Sequence, residues 1–191
     1  LGNWSVFGIN PNILIYRYNS SDGSENDADE MFSTTCHETA HSTHLEVMRG
    51  GAVQFCQVSE TIRESWAIGV EWFITRKEYQ EKGRANYADP GYSVEVTYPA
   101  RHAFQYWNRR QSQTLTSLFI DIVDPNNQRG QSFGSFRKGT VDDLISGYTL
   151  AEIESSFLND IYGIASLSAH LKARKPTEIT DAEIDRLMEH F

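Results

Sequence analysis

The chain has 191 residues, of which 39% are apolar, 23% charged and 12% aromatic, and its formal charge is −9. This is enough apolar and aromatic material to build a core, which excludes a disordered chain, and the length fits one large domain or two small lobes. No apolar run reaches the ~18 residues of a membrane span, and the densest basic cluster (Lys172, Arg174, Lys175) is too small for a nucleic-acid partner.

The chain begins at Leu1 with neither a basic nor an apolar leader, and reads as a mature product or a piece of a longer protein. A secreted or cell-envelope location is preferred over the cytoplasm. Residues 4–10 (WSVFGIN) and 12–18 (NILIYRY) read as two strands turning at Asn10-Pro11-Asn12. An acidic loop, 20–29, precedes a helix expected over about Glu30 to Arg49, with Gly50-Gly51 as its stop. Ser59 is a suitable N-cap for a second helix from Glu60 to about Lys82, ended by Gly83. Tyr98 to Arg110 reads as a further helix, and LFIDIV (118–123) as a strand or a buried helical turn. Residues 124–139 read as a long loop. Thr149-Leu-Ala-Glu152 and Thr180-Asp-Ala-Glu183 have capping-box spacing and each should open a helix. The two cysteines, Cys36 and Cys56, read as buried thiols rather than a disulfide.

The chemistry is concentrated in the first long helix, which carries HETAH at 37–41. At about 100° per residue, His37 and His41 share one face and can grip one ion; His44 and Met48 follow on that face. Phe32, Cys36, Ala40, Thr43 and Val47 form a separate stripe able to pack on a core. Neutral imidazoles suit Zn²⁺, and Glu38 on the flank can act as general base without ligating the metal. With six His and fifteen Glu in the chain, His-Glu-x-x-His should arise by chance about once in seventy such chains, so a third ligand is needed.

The second helix supplies candidates. Glu60, Glu64 and Glu71 share one face there, opposite Ile62, Trp66, Val70 and Phe73. Carboxylates on so apolar a helix need pairing, hydrogen bonds or a metal. Glu64 follows His41 at a distance that allows the second helix to return antiparallel to the first. Glu71, Glu60 and His44 are the rival third ligands, although His44 lies ~10 Å along the axis from His37. Glu71 could instead orient a histidine through its other ring nitrogen.

HETAH followed by Glu64-Ser-Trp-Ala67 resembles the gluzincin group of zinc metallopeptidases. Thr34 and Thr35 before the motif, the uncharged Thr39, Ala40 and Ser42, and the small Ala67 three positions after Glu64 fit that likeness; Thr43 departs from it. The metzincin pattern is absent, because positions 44 and 47 are His and Val. The likeness covers roughly residues 31–75. It implies His37, His41 and Glu64 as zinc ligands, Glu38 as the base, and strand 12–18 as an edge for an extended peptide substrate.

The expected fold is therefore α+β and mostly helical, zincin-like. A small N-terminal β element, an HExxH helix and a glutamate helix would form a metal-binding core over 1–85. A mainly helical subdomain over 86–191 would pack on the same site. The expected activity is zinc-dependent hydrolysis of peptide bonds in a peptide or protein substrate; the alternative is a non-catalytic zincin-like module binding a protein or glycan. Tyr92, Tyr98, His102, Tyr106 and Tyr148 are the candidate donors to an oxyanion, and nothing in their spacing selects one.

Overall fold

The computed structural model describes residues 13, 15–18, 23–25, 28–48, 50–83, 114–125, 127, 132–133, 136–137, 142–159 and 161–191. Among these the chain is mostly helical. The elements are α1 (Ala28–Val47), α2 (Gly51–Phe55), α3 (Glu60–Glu81), α4 (Leu118–Val123), a hairpin of β1 (Ser132–Phe133) with β2 (Phe136–Arg137), α5 (Leu150–Ser156), α6 (Ile164–Arg174) and α7 (Asp181–Met188). A single 3₁₀ turn, Phe157–Asn159, extends α5. No helix is long and apolar enough to cross a membrane, among the described residues.

Local sequence chemistry sets most of these bounds. Gly51, at φ +56°, takes the left-handed conformation that turns the chain out of α1 and into α2. The Ser59 hydroxyl accepts from the Ile62 N–H and opens α3, which runs to Lys82, just before Gly83. Thr149 with Glu152, and Thr180 with Glu183, form complete capping boxes at the starts of α5 and α7. LFIDIV resolves as the helix α4, with Leu118, Phe119, Ile120 and Ile122 fully buried.

The N-terminal β element is not supported. Residues 4–10 lie outside the described residues. The described part of 12–18 makes one isolated bridge, Tyr18 with Glu25, and leaves Tyr16 and Tyr18 half exposed. The expected helix 98–110 and most of loop 124–139 are also outside the described residues. Cys36 is buried as expected, whereas Cys56 is exposed at the end of α2, and no disulfide joins them.

Helix α3 is the spine. It packs most extensively on α1, and on its other flank against α4. Its middle, Ser65 to Gly69, is therefore buried on every side, while Val70 and Phe73, expected on the apolar face, are only partly covered. Ser65 anchors the approach to α4: its hydroxyl meets the Thr116 hydroxyl at 2.6 Å and accepts from the Thr116 N–H at 3.1 Å. Gly69 lets the two helices touch, since a Cβ there would lie 2.9 Å from Phe119 Cβ. One apolar core joins Ala40 of α1, Met48 just after it, and Ile62, Trp66 and Ala67 of α3 to Phe157, to Leu167 and Leu171 of α6 and to Ile184 and Leu187 of α7. Lys172 with Asp185 and Lys175 with Asp181 pin α6 to α7.

Candidate metal centre

Helices α1 and α3 run antiparallel, as their pairs show: His37 reaches both Glu71 and Glu64, and His41, one turn on, reaches Glu64. The i, i+4 spacing turns both imidazoles toward α3, where the rings sit edge to face with centroids 4.9 Å apart. Their Nε2 atoms are 3.2 Å apart, and Glu64 Oε2 is 3.4 Å from each. Three atoms able to ligate a metal thus form a nearly equilateral triangle. Tetrahedral zinc with bonds of about 2.0–2.1 Å needs ligand atoms about 3.3 Å apart, and the spacing of this donor set matches that value. Among the described residues it is the one group of three or more such side chains gathered closely enough for a metal.

Of the rival third ligands, Glu71 is placed differently. Its Oε2 lies 3.2 Å from Nδ1 of His37, the nitrogen facing away from the triangle, and its side chain is only 3% exposed. A carboxylate can only accept, so Nδ1 carries the proton and Nε2 is the nitrogen available to a metal. Glu60 is not part of the group. Burial alone would lower the His37 pKa, but the hydrogen bonds and charges of Glu64 and Glu71 outweigh it and hold the imidazole at about 9. Burial would likewise raise Glu64, yet its contacts with His37 and His41 keep that carboxylate well below the usual range. Without metal the triangle is held together as an ion-paired cluster.

Glu38 sits one residue from the first histidine and is 9% exposed. Its backbone carbonyl accepts from the Ser42 hydroxyl at 3.2 Å, and among the described residues nothing hydrogen-bonds its carboxylate.

His44 departs from expectation. Instead of continuing the metal face it is fully buried in the core, stacked on Phe157 at 3.9 Å and edge-on to Phe55 at 5.1 Å. Among the described residues neither ring nitrogen has a hydrogen-bond partner. Burial, aided by the charges of His41 and Arg63, pushes its pKa down to about 3, so it packs as a neutral ring. The turn of 300° between His41 and His44 carries it past the edge of the α3 contact and under the α5 turn, a covering element that no local pattern announces.

Tyr148 is removed from the oxyanion candidates by its hydrogen bond: the hydroxyl donates to the Leu171 carbonyl at 3.0 Å in the wall between α5 and α6. Tyr92, Tyr98, His102 and Tyr106 lie outside the described residues.

Sequence reasoning missed a second acidic cluster. Asp121, Asp124 and Asp143 are each 4% exposed or less. The Ser117 hydroxyl donates to Asp121 Oδ2 at 2.6 Å, and the Ile145 N–H donates to Asp143 Oδ1 at 3.1 Å. Burial, then mutual repulsion, raises the pKa of Asp121 well above the carboxylate range, and that of Asp143 rises too. The Asp in the otherwise apolar LFIDIV is the one signal that could have found it.

Set against family models, curated proteins and solved structures, the chain matches none.

Proposed function

We propose that this chain is a zinc-dependent hydrolase of gluzincin type that cleaves peptide bonds. The observation that carries the reading is the triangle of His37 Nε2, His41 Nε2 and Glu64 Oε2, with edges of 3.2 to 3.4 Å, on a helix where Glu38 directly follows the first ligand. Two imidazoles and one carboxylate are the donor set of a catalytic rather than a structural zinc site. When bound, zinc supplies Lewis acidity, which acidifies water and polarises a carbonyl oxygen.

The protein's own groups do the rest. Glu71 holds His37 in the Nδ1–H form and fixes the plane of its ring. Glu38 takes a proton from the attacking water as its oxygen bonds to the scissile carbonyl carbon. The C–N bond then breaks, and Glu38 passes the proton to the departing amine nitrogen. Burial of Glu38 removes competing bulk water from that transfer.

The test is Glu38→Gln, assayed for zinc content and for cleavage of a peptide library. Zinc should stay stoichiometric while hydrolysis drops about 10²–10⁴-fold. Full activity in Glu38→Gln on a peptide the native chain cleaves would falsify the mechanism. A native chain that binds zinc and cleaves nothing would favour a zincin-like module that only binds its partner.

A further inference from the structure

Helices α5 and α6 enclose a groove of about 490 Å³ that takes no part in the metal centre. That is within the range of pockets for small ligands, roughly 300–1,000 Å³. Its floor is apolar and fixed: Tyr148, Ile153 and Leu171 are all buried, and the Tyr148 hydroxyl is tied to the Leu171 carbonyl. Leu158, 38% exposed, extends this apolar surface to the lip.

One rim is cationic. Arg174 and His170, one turn apart on α6, both line the groove, and Arg174 Nη1 donates to His170 Nε2 at 2.6 Å. That leaves the His170 Nδ1–H as a second donor. Arg174 differs from its neighbours. Lys172 and Lys175 are paired with Asp185 and Asp181, whereas Arg174 meets no carboxylate among the described residues. The helix dipole favours cations in this last turn, but Lys172 already satisfies that preference. A planar guanidinium at the mouth of an apolar groove, with an imidazole beside it, is suited to a carboxylate.

The opposite rim narrows the choice. Glu152 and Ser155 line it. Glu152 spends one oxygen on the Thr149 capping box, and the Ser155 hydroxyl donates to the Glu152 carbonyl, leaving oxygen lone pairs able to accept. An alkyl chain laid there would bury those acceptors unsatisfied, whereas a peptide N–H would meet one.

We propose that this groove is a second binding site, for the C-terminal residue of a peptide with an apolar side chain. The carboxylate is held by Arg174 and His170, the side chain lies on Tyr148, Ile153 and Leu171, and the amide N–H faces Glu152 and Ser155. The site needs no metal, so it stands or falls separately from the hydrolase reading.

The experiment is titration of the full chain with N-acetyl-L-leucine, with N-acetyl-L-leucinamide and with octanoate, read by calorimetry and by NMR shifts of Tyr148 and Leu171. The acid should bind saturably and at least about 10-fold tighter than the amide or octanoate, and R174Q should weaken it about 10-fold, with R174K in between. Arg174 is exposed and R174Q leaves every residue of the metal triangle in place, so a carboxylate bound at zinc instead would be insensitive to it. Binding unchanged in R174Q, equal affinity for acid and amide, tighter binding of octanoate, or no saturable binding would each overturn the proposal.

Discussion

Glu64 and Glu71, in the groove between α1 and α3, face His37 and His41. Asp121, Asp124 and Asp143, around α4, face one another. Both groups are taken largely out of water, yet their protons go opposite ways. Beside imidazoles that can carry charge, Glu64 is held ionised against the pull of burial. Beside other acids, Asp121 and Asp143 are held toward the neutral form, because burial and repulsion add. A carboxylate's neighbours, together with its depth, therefore decide which way its proton goes.

The comparison can be broken first where it is sharpest. Glu64→Ala removes one corner of the triangle and should abolish stoichiometric zinc in the purified protein, as read by elemental analysis. If zinc stayed at one per chain, the third ligand would lie elsewhere. Glu71→Gln tests the supporting carboxylate, which never reaches the triangle: zinc affinity should fall about 10–100-fold in a chelator competition. An unchanged affinity would reduce Glu71 to a packing residue.

The acid-on-acid cluster makes a prediction of opposite sign. Asp143 rises from 3.8 to about 8 on folding, by burial first and then by repulsion from Asp124 and Asp142. A raised pKa contributes stability that is complete below about 3.8 and is lost as pH rises through about 8. Asp143→Asn should therefore flatten that loss, raising Tm by about 2–4 °C at pH 8.5 and leaving it nearly unchanged at pH 4.5. A Tm that falls at both values would show a charge-paired Asp143 instead. The smallest effect concerns His44, whose two nitrogens are buried unpartnered. His44→Phe should stabilise the chain by about 1 kcal/mol, seen as a Tm gain of about 2–4 °C, with zinc retained. Zinc lost in His44→Phe would return that residue to the metal site.

What sequence could anticipate and what it could not divide along the same physical line. The i, i+4 spacing of His37 and His41, the return of Glu64 on an antiparallel helix and the second nitrogen of His37 offered to Glu71 follow from helix geometry and donor chemistry over a short stretch. So do the capping boxes at Thr149 and Thr180. His44 was placed on the wrong side because Phe157, which covers it, arrives far later in the chain. The charge that Asp143 sets against Asp121 likewise arrives later in the chain, and the helical state of LFIDIV goes with its packing on the flank of α3. Of the N-terminal strands, residues 4–10 lie outside the described residues, and the described part of 12–18 makes one isolated bridge.

Gly69 gives the metal centre a dependence on atoms that never approach it. Phe119 Cβ lies only 2.9 Å from where a Gly69 side chain would begin, and a Cβ on each side cannot yield as a flexible chain end would. A methyl group there must displace the backbone of α3 or α4 by a few tenths of an ångström. Because α3 is a continuous helix with Glu64 and Glu71 flanking this position, such a displacement reaches both carboxylates together. The tolerance of the triangle is therefore set partly by a spacing on the far flank of its supporting helix, and an alanine at this position would act as a shim.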